Sequence, residues 1–152
     1  MKNYLSAVFG VLLLTFLANG AHSGQAGKAA VNGRTLKLNL RYTGTGAVDE
    51  KHKIFVFVFN STDFMEGNGQ PVATRTAMSK EETLTFSELA DSPLYAAVVY
   101  DPSGDYDGQS QPPSGASTAI YAKSPNVPEP IAIDPGKAAE ITVSFDDTHK
   151  MR

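Results

Sequence analysis

The sequence contains no cysteine, no tryptophan and only three histidines among its 152 residues. Without cysteine the chain can form no disulfide, thiolate metal site or lipid-modified thiol, so its stability must come from a packed core. Tryptophan has the largest aromatic side chain, and its absence removes the strongest platform for stacking a sugar ring. The 13 Lys and Arg residues form no cluster and are outnumbered by 16 Asp and Glu, which argues against a nucleic-acid partner.

The chain also lacks an apolar run of the roughly 20 residues needed to span a bilayer. Its first 23 residues have a basic Lys2, an apolar stretch from 5 to 17 and small residues up to Ser23. This pattern is typical of a cleaved export signal. We therefore expect a secreted or periplasmic protein that keeps no stable membrane insertion after signal removal. Residues 24–33 are interpreted as a flexible lead-in to the folded domain.

Short strand-like segments follow, separated by turns rich in Gly, Pro and Asp. Apolar and polar residues alternate over 36–42, which predicts a strand with one buried face. Ile54–Phe59 is apolar at every position, which predicts a central strand buried on both faces. Further strands are predicted at 72–78 (an edge), 83–86, 94–100, 117–123, 130–133 and 139–145. The pattern indicates an all-β, antiparallel Greek-key β-sandwich of about seven strands over residues 34–146, followed by a tail at 147–152.

The order of these segments resembles a known group of small domains. The segments are an alternating strand, a strand ending in FNSTDF, a TLTF strand, LYAAVVYD with an acidic loop, and a last strand after a PGK turn. Tyr95, Val98, Val99 and Asp101 match the most recognisable part of the pattern. The chain is similar to exported bacterial domains of the prealbumin-like group, which includes carboxypeptidase regulatory-like and starch-binding-like modules. The resemblance implies a non-enzymatic binding or accessory module.

Metal-dependent enzymes of the same fold group are the less favoured alternative. Intradiol dioxygenases hold ferric iron with two Tyr and two His, but His52 lies in a polar connection and His149 in the tail. Hydroxyisourate hydrolases end in Tyr-Arg-Gly-Ser, whereas this chain ends in THKMR. A G-x-S-x-G nucleophile motif is absent, and the loop acids are crowded together instead of facing each other across a cleft.

One candidate site is the acidic loop that follows the 94–100 segment. Asp101, Ser103, Asp105 and Asp107 occupy alternate positions, which places oxygen ligands of the kind that calcium prefers on one side of a turn. The loop has Tyr106 where an EF-hand has Gly, and Pro where it has the bidentate Glu, so a complete EF-hand is excluded. Calcium is therefore a possible cofactor, and the alternative is a solvated turn without an ion.

A second interpretation places a glycan or a protein at the same end of the domain. Tyr106, Tyr121 and Phe64 could form an aromatic surface, with Gln109 as a polar contact. Such rings are also common as lids on a core, and Phe64 with Met65 could simply plug its end. The 72–78 edge strand could instead pair with a protein partner. The sequence leaves the choice between a glycan and a protein open.

Overall fold

In the computed structural model, residues 33–152 are described, and they form nine strands and one short 3-10 helix. The expected signal (1–23) and all but the last residue of the lead-in lie outside the described residues. The strands are β1 Arg34–Tyr42, β2 Ile54–Phe59, β3 Ala73–Ala77, β4 Glu81–Leu89, β5 Tyr95–Tyr100, β6 Ser117–Ile120, β7 Ala122–Ser124, β8 Val127–Pro128 and β9 Ala138–Phe145. The helix is Asp63–Glu66. Within 33–152, no helix has the length and apolar character needed to cross a membrane.

Two main sheets enclose the core. One has the strand order β4-β1-β9 and the other β3-β2-β5-β6, while β7 and β8 form a separate hairpin. The all-β sandwich predicted from the sequence is confirmed. The edge position predicted for the third strand is correct, since β3 pairs only with β2 among the described strands. The Greek-key connectivity stays a prediction.

The pairing of β1 with β9 is parallel, which differs from the expectation of antiparallel pairing throughout. Its register runs from Thr35 opposite Ala138 to Tyr42 opposite Phe145 without a break. Amphipathic strands have a period of two in either direction, so the sequence pattern cannot distinguish the two arrangements. The other ladders of the two main sheets are antiparallel.

The core follows the alternation of the strands. Leu36, Leu38, Leu40 and Tyr42 of β1 are buried, and Lys37 and Arg41 between them are exposed. In the facing sheet, β2 and β5 contribute buried side chains at every second position: Ile54, Val56, Val58, Ala96, Val98 and Tyr100. The hydrophobic period of two therefore places the core between the two sheets.

Two predicted strands differ from the structure. The 117–123 segment is divided into β6 and β7 at Tyr121, whose backbone N–H donates to the carbonyl of Ala96 at 2.8 Å. The 130–133 segment forms only an isolated bridge between Ile131 and Leu94. Ile131 and Ile133 are nevertheless buried. The apolar alternation of this segment therefore indicated its burial correctly, although the segment forms no strand ladder.

The predicted tail is part of the fold, and Asp147 fixes its start. One oxygen of Asp147 accepts hydrogen bonds from the Tyr42 hydroxyl at 2.6 Å and the Ser117 hydroxyl at 2.8 Å. The other oxygen accepts from the Thr45 backbone N–H at 3.0 Å. The hydrogen bond from Tyr42, followed by that from Thr45, lowers the pKa of Asp147 to about 2. This carboxylate therefore joins β1, the loop after it and β6.

We predict that Asp147→Asn reduces the free energy of unfolding at pH 7 by about 1–2 kcal/mol. The lowered pKa corresponds to about 2.5 kcal/mol, and solvent screening of this half-buried carboxylate reduces that figure. The folded-state pKa lies below the ordinary value of 3.8, so this contribution is complete above that value and is lost as the pH falls towards 2. Urea unfolding at a series of pH values measures it. Asp134→Asn, at an exposed turn, is the control, and an unchanged pH dependence below pH 4 in Asp147→Asn would contradict the prediction.

Candidate functional site

A second hydrophobic cluster lies on the outer face of the four-stranded sheet. Phe57 and Phe59 of β2, Val99 of β5 and Ala116 are buried there, although they point away from the main core. The partly buried members that pack against them are Phe55, Phe64, Tyr95, Ala97, Tyr106 and Met151. We call this set the outer cluster. It explains why β2 is apolar at every position, since both of its faces pack against other residues.

Five rings of the outer cluster form a continuous row. Phe55, Phe57 and Phe59 follow one another along β2 with ring centroids 6.3 Å apart. Tyr106 packs edge-on against Phe55 at 5.0 Å, and Phe64 stacks on Phe59 at 4.3 Å. These separations are those of favourable aromatic pairs. The rings therefore pack against one another and exclude water, and Phe57 and Phe59 are only 6% and 8% exposed.

The short helix Asp63–Glu66 positions Phe64 over the end of this row. The helix ends at Gly67, which has a φ of 79°, and the Gly67 backbone N–H donates to the carbonyl of Phe64. A residue with a side chain is strained in this conformation, so glycine suits the position. Met65 points outward and is 45% exposed. Of the two residues expected to plug the core, Phe64 packs on the outer cluster and Met65 does not.

An open groove of about 1380 Å³ runs over the outer cluster. Its floor includes Phe57, Phe59 and Ala97, and Ala97 is small while its neighbours across the ladders are Phe57 and Ile120. The rim includes the 64–71 loop, the 106–112 loop, the 122–126 hairpin and the segment from 144 to 151. The small side chain of Ala97 between two large neighbours leaves a hollow on this sheet face, and the loops border it.

The acidic loop forms one side of this groove and is organised by Asp101, which is 4% exposed. Its carboxylate accepts hydrogen bonds from the Ser103 backbone N–H at 3.0 Å and the Ser103 hydroxyl at 2.6 Å. It also accepts from the backbone N–H groups of Asp105 at 3.0 Å and Tyr106 at 3.1 Å. Three of these donors meet at Oδ2, and the Ser103 backbone N–H alone meets Oδ1. Burial raises the pKa of Asp101, but these hydrogen bonds outweigh it and the net pKa is lowered.

The other candidate calcium ligands are arranged differently. Ser103 uses its hydroxyl for Asp101, and Asp107 accepts from the Gln109 backbone N–H at 2.9 Å. Asp105 and Asp107 are exposed. Residues 33–152 contain no group of three or more His, Cys, Asp or Glu side chains placed to hold a metal ion. The hydrogen bonds account for Asp101 without an ion, and the calcium site stays a prediction.

The candidate ligand-binding residues fall into two places. Phe64, Tyr106 and Gln109 line the groove, so the structure brings these three together. Tyr121 packs against the main core instead. The sequence interpretation did not include Phe57, Phe59 or Ala97, although the alternate phenylalanines in IFVFVF already indicated an aromatic outer face.

No protein-family model matches this chain, and no curated protein is similar to it in sequence. The likeness to the prealbumin-like group therefore stays a prediction from the order of the strands. The class that the geometry defines is an all-β sandwich with a groove on one outer face.

We predict that Asp101→Asn destabilises the protein in EDTA by about 1–3 kcal/mol, because the new amide places an N–H₂ group among four donors. Asp105→Asn should change stability by no more than about 0.5 kcal/mol, because its side chain is exposed. Urea unfolding measures both. If the loop served only to bind calcium, Asp101→Asn would not lower the free energy of unfolding in EDTA. It could even raise it, because one of several crowded negative charges is removed.

The calcium hypothesis is tested by adding calcium to the wild-type protein and measuring its stability. About 2 mM calcium acting on a site with a dissociation constant of about 0.2 mM adds about 1.4 kcal/mol. For wild type this corresponds to a rise in Tm of roughly 4–7 °C. Sodium chloride at matched ionic strength separates binding from charge screening. An equal rise in sodium chloride, or no rise in calcium, would remove calcium from consideration.

Proposed function

We propose that the chain is an exported, non-enzymatic binding or accessory module that takes its ligand in the groove over the outer cluster. The observation that carries the proposal is the groove itself, which has an apolar floor and a rim built from several separate segments. Ligand sites are concave, mainly apolar, and contain a few polar groups that set orientation. A rigid sheet with loops at its margin supplies this combination.

The rim offers amide and hydroxyl groups more than charges. Its polar residues include Gln70, Gln109, Ser110, Gln111, Ser124 and Asn126. Of the charged lining residues, Lys123 is paired with Glu129. Amides donate and accept hydrogen bonds, so this rim suits a neutral polar ligand with both kinds of group. Peptide backbones and sugars both have that character.

Three titratable residues that line the groove have pKa values shifted away from neutral pH. Burial raises the pKa of Tyr106, and the hydrogen bond with Glu129 raises the pKa of Lys123. The hydrogen bonds from Thr148 lower the pKa of Asp146. These three groove residues are therefore moved further from neutral pH. A general acid or base works best with a pKa near the working pH, so these three residues are poorly suited to that role. His149 also lines the groove.

Export forms part of the proposal because the first 23 residues have the order of a cleaved signal. We expect mature protein outside the cytoplasm beginning at Ala21 or Gly24, and intact-mass measurement identifies the first residue. Protein recovered outside the cytoplasm with Met1 retained would contradict cleavage.

We predict that ligands bind in the groove and lose binding in Ala97→Trp, because the larger side chain fills the hollow between Phe57 and Ile120. Full chain would be applied to a glycan array and to an array of overlapping peptides. Signals on either array should fall by about tenfold or more in Ala97→Trp, which is the effect of about 1.4 kcal/mol. Equal melting temperatures would show that the variant remains folded.

Ala138→Trp is the matched control, because Ala138 is exposed at the start of β9 in the other sheet. It should leave array binding unchanged. Mass spectrometry of the bound ligand after incubation tests the absence of catalysis. Binding that survives Ala97→Trp would place the ligand elsewhere, and a changed ligand mass would show an enzyme.

A further inference from the structure

The segment after Asp147 lies along β6 as a short additional strand. Its Met151 N–H donates to the carbonyl of Ala116 at 2.9 Å, and its Met151 carbonyl accepts from Gly115 at 2.9 Å. The carbonyl of His149 accepts from Thr118 at 2.9 Å. Ser117 and Lys150 are paired as antiparallel partners between these bonds. The edge of the sheet at β6 is thus already covered by an extended piece of polypeptide.

One side chain anchors this segment. Thr148, His149, Lys150 and Arg152 are exposed, whereas Met151 is partly buried and packs against the outer cluster. His149 and Met151 also line the groove. Backbone hydrogen bonds to a strand edge with a pocket for one side chain are the features by which sheets bind extended peptides.

We propose that the ligand of the groove is an extended polypeptide segment that pairs with β6 in place of residues 148–152 and inserts an apolar side chain where Met151 packs. This inference depends on the proposed function and names its ligand class. The chain's own segment shows how such a ligand would be seated. The amides along the rim can then bond with the backbone of a peptide that continues across the groove.

The same geometry argues against a glycan. Sugar rings stack on open aromatic faces, but Phe57 and Phe59 are 6% and 8% exposed. Phe64 stacks on Phe59, and Tyr106 packs against Phe55. The rings therefore form a small core beneath the groove and leave little free face for a sugar.

The opposite edge of the sheet is less suitable for pairing. β3 carries an exposed Arg75 at its middle. A charged side chain on an edge strand is a common protection against pairing. A second copy paired antiparallel about Arg75 would also bring two positive charges together.

How readily a peptide displaces residues 148–152 from β6 should depend on how firmly these residues are held. Asp147 remains bonded to Tyr42, Thr45 and Ser117, so only the residues after it need to move. When the open form is a minor state, the apparent affinity for a peptide is reduced by the fraction of open molecules. Loosening the segment should therefore increase peptide binding.

The first test uses full-length chain and a fluorescein-labelled peptide of residues 146–152, measured by fluorescence anisotropy. Met151→Ala in the protein should bind this probe about tenfold more tightly than wild type, because it releases the anchor. Met78→Ala is the matched control, since Met78 is 51% exposed on the far side of the sheet, and it should match wild type. A peptide with alanine in place of its methionine should bind about tenfold more weakly. Equal affinities of wild type and Met151→Ala for both peptides would overturn the inference.

The second test fixes the segment in place. Ser117 and Lys150 form a non-hydrogen-bonded pair, where antiparallel strands approach most closely and a disulfide can form. The double variant S117C/K150C has no other cysteine with which to react. It loses the Ser117 hydroxyl that donates to Asp147, so its oxidised and reduced forms are compared with each other. Its oxidised form should lose probe binding and regain it after reduction. Probe binding that is identical in the oxidised and reduced forms would overturn displacement.

A third experiment distinguishes a wrong ligand class from a wrong binding site. Maltoheptaose is the glycan probe in parallel titrations of wild type and Ala97→Trp. Maltoheptaose binding that Ala97→Trp abolishes, with no binding of the peptide to any variant, would overturn the polypeptide ligand and leave the groove as a binding site. Peptide-array signals that persist in Ala97→Trp would overturn the groove as the binding site, and their loss or persistence in oxidised S117C/K150C would separately decide the pairing with β6.

Discussion

The burial of β2 on both faces is the constraint on which the rest of this structure depends. Its inward residues complete the core between the sheets, while Phe55, Phe57 and Phe59 form a row on the opposite side. An exposed row of three phenylalanines would be an apolar patch that a monomeric protein seldom tolerates. The loops after β2 and β5 must therefore fold back over the sheet, and they bring Phe64 and Tyr106 to the ends of the row. The groove is the space that this incomplete cover leaves.

Asp101 and Asp147 fix irregular segments at the margins of the sandwich. Each carboxylate collects donors from several places, so that a loop or tail without regular pairing becomes fixed. A charged acceptor makes stronger hydrogen bonds than a neutral one. The two groups act on different segments: one shapes the acidic loop beside the groove, and the other secures the start of the segment along β6.

The sequence was sufficient for elements whose pattern is local, and insufficient where distant segments meet. Alternation in β1 and the apolar run of β2 predicted the strands and the sandwich, because burial is recorded at each position. The direction of β9 was not predictable, because Ile141, Val143 and Phe145 would point inward in either orientation. Among the candidate site residues, Phe64, Tyr106 and Gln109 lie together, but the place of Tyr121 depends on the break between β6 and β7. The role of Met151 depends on a pairing that no local pattern reveals.

The parallel pairing of β1 and β9 has a mechanical consequence. β1 begins at Arg34 and β9 ends at Phe145, at opposite ends of adjacent strands in a ladder of eight paired positions. At a rise of about 3.3 Å per residue these points are about 25 Å apart. Tension applied between them acts along the strands and across their hydrogen bonds. All bonds of the ladder then share the load at once in shear, whereas an antiparallel hairpin pulled from its ends would open one pair at a time.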